Sequence, residues 1–116
     1  MRIGLYGGSF NPVHSGHLRV ARAALADLRL DRLVVLPAAV SPFKTETPPQ
    51  EPFDRLLLVR AAFNGIGNVV VDDRELKRGG VSYAIDTVRE FRRENGDAEL
   101  FFIVGRDRTR PCARVP

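Results

Sequence analysis

The chain has 116 residues, of which 44% are hydrophobic and 28% charged, with a net charge of +4 and one cysteine, Cys112. That length supports one domain with its own core, the composition is that of a folded globular protein, and a lone cysteine excludes both an internal disulfide and a cysteine-cluster metal site. No apolar run approaches the ~18 residues of a membrane span, and Met1 leads straight into a strand pattern instead of a signal sequence, so a cytoplasmic protein is expected.

In chain order, Ile3 and Leu5 lie in a short apolar segment that runs into Gly7-Gly8, which reads as a strand followed by a tight turn. A helix opens at Ser15-Gly16-His17, because Leu18, Ala21, Leu25 and Leu28 recur on one helical face. Residues 32–36 (RLVVL) form a second strand stopped by Pro37, and the proline-rich stretch 38–52 reads as a surface loop. From Phe53 a second helical pattern (Leu56, Val59, Phe63) runs to Gly65, and Asn68 to Val71 give a third strand. Ser82 can cap a further helix with Ala84, Val88 and Phe91 on one face, and Leu100 to Val104 form a fourth strand ending at Gly105.

Strands alternating with helices predict an α/β fold, an open parallel sheet with helices on both faces. Apolar runs such as LVVL and FFIV agree with strands buried on both sides. Residues 1–105 are read as the domain and 106–116 as a disordered basic tail. That tail carries Arg106, Arg108, Arg110 and Arg114 against Asp107, a net +3 of the chain's +4. The rest is nearly neutral, which argues against a nucleic-acid partner.

Ligands of open parallel sheets bind at the carboxyl ends of the strands, so the turn after the first strand is the first place to look. It reads GGSFNPVHSGH, Gly7 to His17. The two glycines let the backbone approach a ligand, and the helix that follows offers free amides and a dipole that favour an anion. His14 and His17 flank that helix start, with Gly16 removing bulk between them. A single histidine there would read as a cap, whereas the whole string reads as a phosphate site.

The string resembles the G-G-[ST]-F-[DN]-P-x-H-x-G-H signature of the nucleotidylyltransferase superfamily, matched without a gap. The resemblance implies that His14 and His17 contact the nucleotide phosphates, and that Gly7, Gly8, Ser9, Phe10 and Gly16 line the same site. Ser41-Pro42-Phe43-Lys44 is similar to the P-P-H-K loop of the bacterial nicotinate-nucleotide adenylyltransferases, with Phe43 where the family has His. Lys44 then supplies a mobile charge to phosphate; taken alone it would be a solvated lysine. The segment Glu75 to Thr87 resembles the family's E-x-x-R-x-G-x-S-Y-T-x-D-T-L, with Ala84 in place of Thr, and it places Arg78, Ser82, Tyr83 and Thr87 at the pyridine nucleotide. For Tyr83 and Thr87 alone, packing and capping are equal alternatives. Phe102 to Asp107 is similar to F-I-x-G-x-D, which sets Gly105 and Asp107 beside the nucleotide.

The resemblance covers residues 1 to about 107 and implies adenylyl transfer from ATP to nicotinate mononucleotide, giving deamido-NAD and pyrophosphate. Mg²⁺ would be carried on the ATP, with no protein metal ligands. The family continues through a final strand, C-terminal helices and an I-S-S-T-x-I-R segment, which are missing here, so a truncated chain of impaired activity is expected. The alternatives are transfer to pantetheine phosphate or nicotinamide mononucleotide, and a nucleotide-binding fragment without catalysis. The sequence does not fix an oligomeric state.

Overall fold

Apolar residues on both faces of the backbone bury the first strand, β1 (Arg2–Gly8), in the middle of a five-stranded sheet. The computed structural model describes residues 1–10, 12–38, 52–79, 84–104 and 112–115. Along the chain β1 is followed by α1 (Ser15–Asp27), β2 (Arg32–Pro37), α2 (Pro52–Phe63), β3 (Val69–Val71), α3 (Arg74–Arg78), α4 (Ala84–Glu94), β4 (Glu99–Val104) and β5 (Cys112–Val115). The strand order is β3-β2-β1-β4-β5. The first four strands of that order are parallel, with Leu5 opposite Val34 on one side and Phe102 on the other.

Successive side chains of β1 point to opposite faces, so each face gathers its own core. On one face Tyr6, Leu33, Val35, Phe101 and Ile103 pack with Ala21 and Ala24 of α1 and Val59 and Phe63 of α2. On the other, Ile3, Leu5, Val34, Leu36 and Leu100 pack with Phe91 and Val88 of α4. Each fully buried aliphatic side chain contributes roughly 1.5–3 kcal/mol, which makes these two layers the main stabilising term. Helices on both faces of a parallel sheet are what the alternating pattern predicts.

Helix α1 ends in a Schellman motif: Arg29 takes the left-handed conformation (φ 51°), and the Leu30 and Arg29 amides donate to the carbonyls of Leu25 and Ala26. The turn delivers Leu30 over the sheet, where it is 6% exposed.

Two elements depart from the sequence expectation. Helix α3 has only five residues, too few to show a period, and it is held by charge instead. Arg74 bonds Asp72, Glu90 and Glu94, its guanidinium lies 3.9 Å over the Phe91 ring, and Arg78 shares Glu90. Burial alone would lower the Arg74 pKa, but hydrogen bonds to Glu94 and Asp72 outweigh it and hold the guanidinium above its ordinary value.

The second departure is in the basic tail. Cys112–Val115 pairs antiparallel with β4, with Phe102 opposite Ala113 and Ile103 opposite Cys112. The reading of 106–116 as wholly disordered is therefore corrected for these four residues. The open edge of β4 offers a row of backbone donors and acceptors, and a short segment can pair with it whatever its hydropathy. Composition carries no record of such a partner.

Candidate active site

The chain leaves β1 for β2 and β3 on one side, then crosses to β4 on the other, so the order reverses at β1. The carboxyl ends of β1 and β4 adjoin at this switch point, with Gly7 opposite Val104. The string Gly7–His17 thus begins at the place where an open parallel sheet receives ligands.

At Gly7 and Gly8 an added Cβ would meet only ring carbons, at 3.7 Å from Phe102 and 3.4 Å from Phe10, and neither glycine has a positive φ. Protein packing alone would admit a side chain at either. Gly16 differs: a Cβ there would lie 2.8 Å from Cε1 and 3.0 Å from Nδ1 of His14. The absent side chain is what lets the His14 ring fold back over the helix start.

That ring is the N-cap of α1. Its Nδ1 accepts the Gly16 amide at 3.1 Å, and the Nδ1 of His17 accepts the His14 amide at 3.0 Å, a reciprocal capping box built from two imidazoles. The rings lie face to face, with centroids 3.9 Å apart and planes tilted by 31°. A neutral imidazole whose Nδ1 accepts carries its hydrogen on Nε2. Both rings are therefore held in the Nε2–H form, with a donor on the side away from the helix amides.

Phe10 supports the pair. It is 2% exposed, has φ 48°, and its ring lies 4.7 Å from the His17 ring and edge-on to Tyr6 and Phe63. Its side chain belongs to the core. Behind it stands Tyr6, 1% exposed, whose hydroxyl has no hydrogen-bond partner among the described residues. Burial pushes this phenol up to about 12 from its usual 10. Stability tied to the neutral phenol is complete below about pH 10 and is lost as pH rises toward 12. Tyr6→Phe is expected to stabilise the fold by about 1 kcal/mol and to flatten that alkaline loss, as read by urea denaturation across pH 8 to 12.

Arg55 was not singled out from the sequence. It sits on α2, is 1% exposed, and its Nη1 donates to the carbonyls of Ser9 at 2.6 Å and Ala38 at 2.7 Å. The Ala38 amide in turn donates to the Gly8 carbonyl at 2.8 Å. Burial lowers the Arg55 pKa from its ordinary value. A basic residue within an otherwise mixed helix gives no sequence signal for such a role.

Of the residues expected at the pyridine nucleotide, Thr87 is 1% exposed and its hydroxyl donates to the buried Glu75 carboxylate at 2.7 Å, so its side chain joins α4 to α3. Arg78 lies on α3 with its guanidinium bonded to Glu90. Lys44, Ser82, Tyr83, Gly105 and Asp107 lie outside the described residues. An open cleft of about 260 Å³ is lined, among the described residues, by Arg60, Phe63, Asn64, Val69 and Val71, and none of the expected site residues that are described borders it.

Comparison with known proteins bears on family and fold. A family model described as cytidylyltransferase-like matches residues 5–114. A protein of Gemmatimonas aurantiaca named "Probable nicotinate-nucleotide adenylyltransferase" is 50% identical over 107 residues, which are 92% of this chain and 50% of that protein. A protein of the same name from Opitutus terrae is 47% identical over 107 residues, 92% of this chain and 55% of its own. Among solved structures, the Plasmodium falciparum nicotinic acid mononucleotide adenylyltransferase complexed with NaAD superposes with a TM-score of 0.69 at 15% identity, over 87% of this chain and 50% of that one. At that identity the superposition establishes the fold. The chain spans about half the length of the curated relatives it matches.

Proposed function

The chain belongs to the cytidylyltransferase-like family, and from that premise we propose that it transfers an adenylyl group from ATP to nicotinate mononucleotide, releasing pyrophosphate and deamido-NAD. The observation that carries the reading is the pair of capping imidazoles at the switch point, each holding an Nε2 donor at the head of α1. The names of the relatives from Gemmatimonas aurantiaca and Opitutus terrae support the choice of acceptor.

In this reading an oxygen of the mononucleotide phosphate attacks the α-phosphorus of ATP, the new P–O bond forms, and the bond to the bridging oxygen of pyrophosphate breaks. A phosphate monoester is already ionised near neutral pH, so no side chain has to take a proton from the nucleophile. What remains is positioning and stabilisation of charge on the phosphoryl oxygens. His14 and His17 serve as neutral donors, Lys44 as a mobile positive charge, and Gly7, Gly8 and Ser9 as the floor under the nucleotide. Gly16 keeps the His14 ring in place, Gly105 and Asp107 flank the nucleotide, and Arg78, Ser82 and Tyr83 stand on the acceptor side.

In the same reading Mg²⁺ is an ion held by the triphosphate oxygens. When bound it neutralises part of their charge. We place the reaction in the cytoplasm, with no membrane or nucleic-acid partner. Among the described residues no helix is long and apolar enough to cross a membrane.

The test is pyrophosphate release with ATP and each of nicotinate mononucleotide, nicotinamide mononucleotide and phosphopantetheine, beside calorimetric binding of ATP. Release with nicotinate mononucleotide at least about tenfold faster than with the other two is expected. Release favouring another acceptor overturns the substrate, and ATP binding without release from any acceptor overturns transfer in favour of a nucleotide-binding module.

A further inference from the structure

We propose that Arg55 is a positioning residue of the nucleotide site, a buried clamp that sets the orientation of the Ser9–Phe10 peptide and ties it to the exit of β2. The proposal rests on the nucleotide-site reading above. A guanidinium is expensive to take out of water, and a side chain that only filled space at this point of α2 would be apolar. Here one Nη1 joins two carbonyls from separate parts of the chain, Ser9 at 2.6 Å and Ala38 at 2.7 Å. Both carbonyls stand where the strands β1 and β2 run out into the loops of the site, since Ser9 follows Gly8 and Ala38 follows Pro37.

The consequence lies in the peptide plane. In a planar trans peptide the N–H of the next residue points opposite to the carbonyl. With the Ser9 carbonyl held on Arg55, the Phe10 N–H is aimed away from the buried guanidinium. The same constraint keeps Phe10 at φ 48° with its ring against His17. A single buried charge thereby governs one backbone donor and the support of one imidazole. Ala38 is held from both sides, by its carbonyl on Arg55 and by its amide on Gly8, so the turn and the start of the Lys44 segment are tied to each other.

Arg55→Lys keeps the charge but replaces the planar fork with a compact ammonium on a different stem, and Arg55→Met keeps the bulk without the charge. Three readouts separate positioning from mere stability: the urea midpoint, the calorimetric Kd for ATP, and hydrogen exchange of the Phe10 amide against the core amides of β1 and β4. In Arg55→Lys we expect a near wild-type midpoint, an ATP Kd raised about tenfold, and exchange at Phe10 at least about tenfold faster with the core amides unchanged. An unchanged ATP Kd with unchanged exchange at Phe10 overturns the proposal, as does an equal loss of protection throughout β1 and β4. If Arg55→Met does not fold, the lysine variant still decides. A wild-type chain that binds ATP but releases no pyrophosphate overturns the transfer reading alone, since the Kd and exchange arms still report the clamp. A wild-type chain that binds no ATP overturns the clamp as a nucleotide-site device together with the site itself.

Discussion

Replacing His17 with alanine is expected to lower turnover by about 10²-fold, the scale of a lost transition-state donor, and replacing it with glutamine should do nearly the same. The two variants part on stability. His17 has two tasks in the structure: its Nδ1 accepts the His14 amide at 3.0 Å, and that bond fixes the hydrogen on Nε2. Glutamine at the third helical position can bond back to the N-cap amide, as in an ordinary capping box, but it has no ring. The glutamine variant should therefore hold its urea midpoint, while the alanine variant loses about 1 kcal/mol. Steady-state pyrophosphate release with nicotinate mononucleotide and ATP, measured beside the denaturation curves, separates cap from donor. A glutamine variant with wild-type turnover would reduce His17 to a cap and remove it from the chemistry.

The reach of the sequence can be judged on the same residues. The alternation of strands and helices was legible because each apolar run is local: Ile3 and Leu5, Leu33 to Leu36, and Leu100, Phe101 and Ile103 are buried where their patterns place them. The candidate site could be proposed from sequence for a different reason, since Gly7 to His17 is contiguous and the capping box of His14 and His17 is local. What was not legible depends on contacts between remote parts of the chain. Arg55 bonds carbonyls 46 and 17 residues away, so nothing near it in the chain sets it apart from a solvated arginine. Thr87 reads equally as a ligand contact or as packing until Glu75 is found beneath it. Phe10 sits in a string of expected ligand residues, and only the rings of Tyr6, His17 and Phe63 around it reveal a core side chain. Strand β5 exists through the edge of β4, which its own residues do not encode.

Gly4 gives the sharpest test of the packing that carries this site. In the middle of the central strand, a Cβ at Gly4 would lie 2.6 Å from Cδ1 of Leu30, 2.9 Å from Cδ1 of Leu33 and 3.0 Å from Cδ1 of Ile103. Alanine ordinarily favours a strand interior over glycine by roughly 0.5–1 kcal/mol, but here three buried methyl groups must yield. Gly4→Ala should therefore cost about 1–3 kcal/mol, and Leu30→Ala, which empties a buried site, about 2–5 kcal/mol. The two changes meet in one volume, because the nearest obstruction to the new methyl is the group that Leu30→Ala removes. The double variant should be more stable than the sum of the single losses predicts, by about 1 kcal/mol in a double-mutant cycle of urea midpoints. Strict additivity would show that Leu30 does not set the close approach. Leu30 is also the residue that the Schellman turn of α1 lays on the sheet, so this contact anchors one end of the helix whose other end carries His14 and His17. The absent side chain at Gly4 thus fixes how closely the helix that carries His14 and His17 lies on the central strand.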